Sequence, residues 1–187
     1  MRRSFLLPAI CVATAAAASP AAAAGRAEIH GGLDRIAYSG TSSDGLLYGV
    51  GAGLDIPVGK KLVVGVEGNA DYSNAKDCAD LVIATIDEIC LRARRDLSAA
   101  VRLGYEPSAG AMVYALAGYS SARFRLEATP AGGTPIREVQ SFDGLRLGVG
   151  LQHAVRGGVY SKLEYRYSNY EAGAERHHLV AGLGVRF

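Results

Sequence analysis

The residues able to do chemistry in this chain are few in kind and poorly spaced for catalysis. The imidazoles are His30, His153, His177 and His178. A catalytic nucleophile and its base must converge at one point. The nearest company for His177 and His178 is Ser168 and Glu175, with no short His-x-Ser spacing. Adjacent strand positions point to opposite faces, so the pair also fails as a shared metal site. The expectation is no enzyme, no catalytic residue, no metal site and no cofactor. What the chain does supply is charge at regular intervals. One set is Glu67 and Glu164 with Arg102, Arg146, Lys162 and Arg166; a second is Arg92, Arg94, Arg123 and Arg125. Such residues do two things well: they pair where the dielectric is low, and they attract anions.

Charges held at intervals need a frame, and composition says which. The 187 residues are 49% hydrophobic and 20% charged, with 24 Gly, 10 Tyr and no Trp. That excludes a disordered chain and a basic nucleic-acid-binding tail. It also speaks against a helical bundle, because each helix-interior Gly costs about 1 kcal/mol relative to Ala. The length fits one domain with a short appendage.

The appendage is residues 1–24. Arg2 and Arg3 form a basic start, Phe5 to Ala18 an apolar stretch, and Ala22-Ala23-Ala24 a small-x-small cleavage pattern. Pro8, Pro20 and weak alanine-based hydrophobicity argue against a retained transmembrane helix. A signal peptide cleaved after Ala24 is therefore expected, leaving one domain over 25–187. The run Arg2-Arg3-Ser4-Phe5-Leu6 also matches a twin-arginine signal, so the export route stays open. Cleavage removes two arginines, Cys11 and no acid, which balances the charge and leaves Cys78 and Cys90. An even pair in an exported protein points to a disulfide. A loop of that length gives about 3 kcal/mol on the chain-entropy estimate.

From Glu28 onward the pattern has period two, broken by turn signals. Eight strands are predicted, over about 28–38, 46–57, 61–73, 91–105, 111–127, 142–155, 159–170 and 176–187. A bulge is expected near Asp34-Arg35. One face of each strand is apolar, as with Leu145, Leu147, Val149 and Leu151, and the other carries charge and glycine. In the fifth strand the apolar set is Met112, Tyr114, Leu116, Ala122, Phe124 and Leu126. Arg95 interrupts the fourth strand's apolar face near its start, where a membrane interface would accept it. The connections 58–60, 106–110 and 156–158 read as tight Gly-containing turns. Those at 39–44, 74–89, 128–140 and 169–175 are looser. Short turns at one end, longer loops at the other and an even strand count describe an all-β, eight-stranded antiparallel up-and-down transmembrane β-barrel with both termini at the periplasmic end.

A soluble lipocalin shares that topology with its apolar face inward. Glycine decides between them. The interior of eight strands is just wide enough for side chains. Gly49, Gly51, Gly53, Gly65, Gly104, Gly148, Gly150, Gly182 and Gly184 all lie on the charged face. On a soluble exterior so much glycine would only weaken the strands, so the charged face is the lumen. Tyr72, Phe124, Tyr165 and Tyr167 near the loop ends, and Tyr105, Tyr114 and Phe187 near the turn ends, read as two interfacial girdles.

Registering the hairpins by their turns puts Glu67 opposite Gly51 and Glu164 between Gly150 and Gly182. The expected lumen is a salt-bridged plug; the alternative is a narrow porin-like path for ions or small solutes, opened by exchange of partners. Arg92, Arg94, Arg123 and Arg125 are expected to converge on the loop-side mouth, with Asp71 close to Arg94. There they would form a basic vestibule for anions, lipopolysaccharide phosphates among them, or equally be neutralised by Asp96, Glu127 and the acids Asp77, Asp80, Asp87 and Glu88 of the 77–88 loop. The apolar run Leu81–Ile86 within 74–89, and the 128–140 loop, are candidates for contact with a host or other extracellular surface. The 74–89 segment could equally cap the lumen or extend strands three and four above the membrane.

The mature chain resembles the small eight-stranded outer-membrane barrels of the opacity-protein and OmpA-like transmembrane type. The resemblance rests on the strand rhythm and on the ending His178-Leu179-Val180-Ala181-Gly182-Leu183-Gly184-Val185-Arg186-Phe187. It implies a last strand closing on Phe187 that is presented to the barrel-assembly machinery. It also implies residence among the lipid and lipopolysaccharide of a Gram-negative outer membrane, and a structural or adhesion-like role. The match stops at Phe187, without the peptidoglycan-binding domain of full OmpA proteins.

Overall fold

The computed structural model describes residues 23–38, 41–83, 86–130 and 136–187, nearly all of them in strands. Most of the expected leader, residues 1–22, lies outside them. The strands are β1 Ala24–Tyr38, β2 Thr41–Val58, β3 Leu62–Ser73, β4 Lys76–Ile83, β5 Ile86–Ser108, β6 Ala111–Pro130, β7 Ile136–Arg156, β8 Val159–Tyr170 and β9 Glu175–Arg186. Eight of them close an antiparallel ring in the order β1, β2, β3, β5, β6, β7, β8, β9, with β9 returning to β1. A closed ring leaves no unpaired backbone edge, which is the condition for strands to cross hydrocarbon. At the three tight turns Gly59, Gly110, Gly157 and Gly158 hold φ of 79°, 83°, 60° and 81°, a region that disfavours other residues.

The strands outrun their sequence pattern at the loop end. Tyr38 still pairs with Thr41, and β6 and β7 stay paired out to Ala128 and Ile136. The 74–89 segment contains β4, which pairs with the start of β5 and puts Cys78 opposite Cys90. Together β4 and the upper parts of β5, β6 and β7 continue as a sheet past Gly144, where the pairing of β8 ends. A strand standing in water needs no continuous apolar face, so alternation fades there and only a loop is legible. The register of β1 with both neighbours runs unbroken through Asp34 and Arg35, so the expected bulge is absent.

The two faces separate sharply. Ile29, Leu145, Leu147 and Leu183 stand out from the wall, while Arg166 and Glu164 are 0% and 1% exposed inside it. One strand reverses the expectation. On β6, Met112, Tyr114, Leu116, Ala122 and Phe124 are buried inward, and Val113, Tyr119 and Arg123 point outward. The lower half of β6 is apolar on both faces, so its alternation carries no sign and the neighbours decide. Those neighbours are glycines. A Cβ added at Gly150 would stand 2.4 Å from the Tyr114 ring, and one at Gly104 2.6 Å from the Met112 sulfur. The glycines thus make room for large inward side chains of β6. Tyr114 and Phe124 therefore leave the girdles, which keep Tyr72, Tyr165 and Tyr167 and gain Tyr48 and Tyr119 at the loop end, and keep Tyr105 and Phe187 at the turn end.

A Gly150→Val change drives a branched side chain into the Tyr114 ring. It should lower stability by about 1–3 kcal/mol, read as an earlier urea midpoint for the folded band on a heat-modifiability gel.

Candidate functional site: the filled lumen

Alternate residues of all eight ring strands point into a space a few side chains wide. Among the described residues seven carboxylates lie buried there: Glu28, Asp34, Asp55, Glu67, Asp71, Asp96 and Glu164. They face six permanent cations, Arg26, Arg102, Arg146, Lys162, Arg166 and Arg176, together with His30 and His178. An isolated buried charge is very costly, so geometry must satisfy nearly every one.

It does so in tiers. Nearest the loops, Arg176 reaches Asp34 through Nη2 at 2.5 Å and Asp96 through Nη1 at 3.1 Å. Asp96 also accepts from Arg146 at 2.6 Å, Ser120 at 2.5 Å and Tyr170 at 2.8 Å. In the middle, Arg166 of β8 donates to Asp71 of β3 at 2.9 Å, spanning the diameter, and pairs through Nε with Glu164. Glu164 accepts from the Tyr114 hydroxyl at 2.6 Å, and Asp71 lies 2.5 Å from His30 Nε2. Toward the turns, Arg26 bridges Glu67 at 2.5 Å and Glu28 at 3.3 Å, and Lys162 pairs with Glu28. Arg102 donates to Gln152 at 2.7 Å and stacks over Tyr114, 4.0 Å from its ring centre. Above the top tier, Ile36, Ala75, Ala122, Phe124, Tyr170 and Ala174 pack together with Phe142 as an apolar lid.

Glu67, Arg102, Arg146, Lys162, Glu164 and Arg166 thus all sit in the lumen, though not always with the expected neighbours. Glu67 lies opposite Gly53 rather than Gly51. Glu164 faces Gly150 and Val180, while Gly182 faces Lys162. Each slip is two residues, which preserves the face. Sequence reasoning missed Arg26, Glu28 and Asp34. Their signal was present, since Arg26, Glu28 and His30 alternate with Ala27 and Ile29, but it abuts the leader.

The basic vestibule is corrected. A one-residue bulge between Ala93 and Asp96, set against Phe124 and Ala122, interrupts the alternation of β5. Arg94 consequently lies against Tyr72 on the outer wall, donating to its hydroxyl, and Arg95 and Arg123 are exposed there. Phe124 and Ala122 occupy the lumen positions instead, and Asp71 serves His30 and Arg166 rather than Arg94. Arg92 and Arg125 pair in register, with their side chains outside those described. Beyond the membrane-facing wall, Arg35 clasps Asp44 through bonds of 2.7 and 2.9 Å, and this bonding holds the Asp44 carboxyl below its ordinary range. Among the described residues no group of three or more His, Cys, Asp or Glu is placed to hold a metal.

An apolar outer wall around a filled polar lumen defines a transmembrane β-barrel. The family model described as outer membrane protein beta-barrel domain matches residues 5–187. The chain belongs to that family, which is one of the Gram-negative outer membrane. No curated protein matches it in sequence. Among solved structures it is similar to Ail, the attachment invasion locus protein of Yersinia pestis, in complex with the heparin analogue sucrose octasulfate. The TM-score is 0.62 at 16% identity, over 88% of this chain and 99% of that one. It is also similar to neisserial surface protein A, with a TM-score of 0.59 at 19% identity and the same coverage of each chain.

Asp96→Ala should strand Arg146 and Arg176 without their shared acceptor. The expected loss is about 3–5 kcal/mol, measured as the shift in urea unfolding of protein refolded into lipid vesicles.

Proposed function

We propose that this protein is a plugged, non-enzymatic outer-membrane barrel with a structural or adhesion-like role exercised at its loop-side surface. The observation that carries the reading is the Arg166–Asp71 contact across the full diameter, in a lumen whose loop end is lidded by apolar packing. A conducting path needs continuous water, and these side chains take its place. In this reading residues 1–24 are a removed leader, and the termini and short turns face the periplasm. Phe187 is the residue that the assembly machinery meets. The sheet built from β4 to β7, with 74–89 and 128–140 at its tip, is the surface offered to an extracellular or host partner. That Ail, a protein of this fold, has been crystallised with a heparin analogue is consistent with such a role.

The second reading, a narrow channel, draws on one observation. At the turn end Asp55 makes no hydrogen bond and only long ion pairs, 3.4 Å to Arg26 and 3.7 Å to Arg102, and Gln152 Nε2 is buried without a hydrogen bond, so the plug is loosely bonded there. Planar-bilayer recordings separate the two. A plug gives no stable steps of nanosiemens size; such steps would establish the channel and end the structural reading. For the tip, opposed positions on paired strands suit a disulfide, and Cys78 and Cys90 are so opposed. They are proposed as bonded: alkylation of the exported protein should label neither cysteine until reductant is added.

A further inference from the structure

The β5 bulge opens a site that the lumen does not use. Arg94 and Arg95 both lie on the outer wall because the extra residue breaks the alternation there, and Arg123 sits across from them on β6. Arg94 is fixed in place by the Tyr72 hydroxyl and ring. Among the described residues none of the three arginines pairs with a carboxylate. The outward acid on β7, Asp143, lies beside Tyr119. Three cations concentrated at one level, just above the tyrosines at the loop end of the apolar wall, stand where lipid headgroups begin.

Below them the wall has a matching shape. Outward on β6, Ala117 lies between Val101 and Leu147, and Ala115 between Leu103 and Val149. Small side chains flanked on both sides by larger ones make a furrow running down from Tyr119 into the hydrocarbon. Cations at the top and a greasy furrow beneath are complementary to one kind of molecule, a lipid with an anionic phosphate and extended acyl chains. Guanidinium forks suit phosphate oxygens, with which they form short charge-assisted bonds.

We propose that Arg94, Arg95 and Arg123 clamp the phosphate of an anionic lipid in the loop-side leaflet, with an acyl chain lying along β6. Its placement in the outer leaflet rests on the orientation given above; the site itself does not.

The test uses the refolded full barrel in symmetric nanodiscs or micelles, titrated with bisphosphorylated lipid A and with lipid A stripped of phosphate. Binding is followed by native mass spectrometry. Wild type should prefer the phosphorylated form, and the triple variant Arg94→Gln, Arg95→Gln, Arg123→Gln should lose about tenfold or more in affinity for it. Ala117→Phe, which fills the furrow and leaves the arginines alone, should also weaken binding, and inorganic phosphate should not compete. Equal affinity of wild type and triple variant, or equal affinity for the two lipids, would overturn the clamp. Unchanged binding by Ala117→Phe would overturn the acyl-chain placement. Heat-modifiability on each sample shows that the variants are folded. Val139→Cys, labelled on intact cells, tests orientation separately: its failure to label would reverse the leaflet and leave the binding results intact.

Discussion

Eight strands close a ring whose interior cannot hold a column of water beside full-sized side chains. Everything inside must therefore be filled, and whatever polar group fills it must find a partner within a few ångströms. This sequence fills the space with long ions. Arg166, Arg146 and Arg26 each serve two or more carboxylates, which lets six permanent cations hold seven acids in place. Because partners come from strands across the ring, as with Arg166 of β8 and Asp71 of β3, the network also ties the cylinder's shape to its chemistry. A buried ion pair contributes little net stability against an apolar filling, but breaking one is costly. Such a lumen rewards one register and penalises every slip.

The glycines and the reversed β6 belong to the same constraint. Tyr114 and Tyr160 extend their hydroxyls to Glu164 and Glu28 only because Gly150 and Gly184 leave space under their rings. Aromatic rings that look lipid-facing by hydropathy here act as spacers with a polar tip. The wall facing the hydrocarbon is the simpler half of the design. It keeps Leu, Val and Ile outward and gives up its pattern at the bulge, where Arg94 and Arg95 take outward positions.

Most of this was legible in the chain wherever the two faces differ in kind. Leu62, Val64 and Val66 against Glu67 and Asn69 can be read only one way, and the closing strand to Phe187 likewise. The sequence was mute where both faces match. Met112-Val113-Tyr114-Ala115-Leu116-Ala117 alternates large with small rather than apolar with polar, and hydropathy alone puts the large set toward lipid. It is also misleading where a bulge in β5 resets the count and carries Arg94 from the expected mouth to the outer wall, while the reversed face of β6 carries Arg123 there. Register within a correct face, as with Glu67 opposite Gly53, depends on how many residues a turn removes from the ladder, a quantity that alternation does not encode.

The central claim is that the charged side of every strand, and the large side of β6, faces the axis. Spin labels placed singly at Ala117, Leu147 and Leu183 in protein refolded into bilayers address it directly by power saturation. The account predicts that dissolved oxygen outcompetes a water-soluble nickel chelate at all three positions. A label at any of them, Ala117 above all, that collides mainly with the chelate would contradict it.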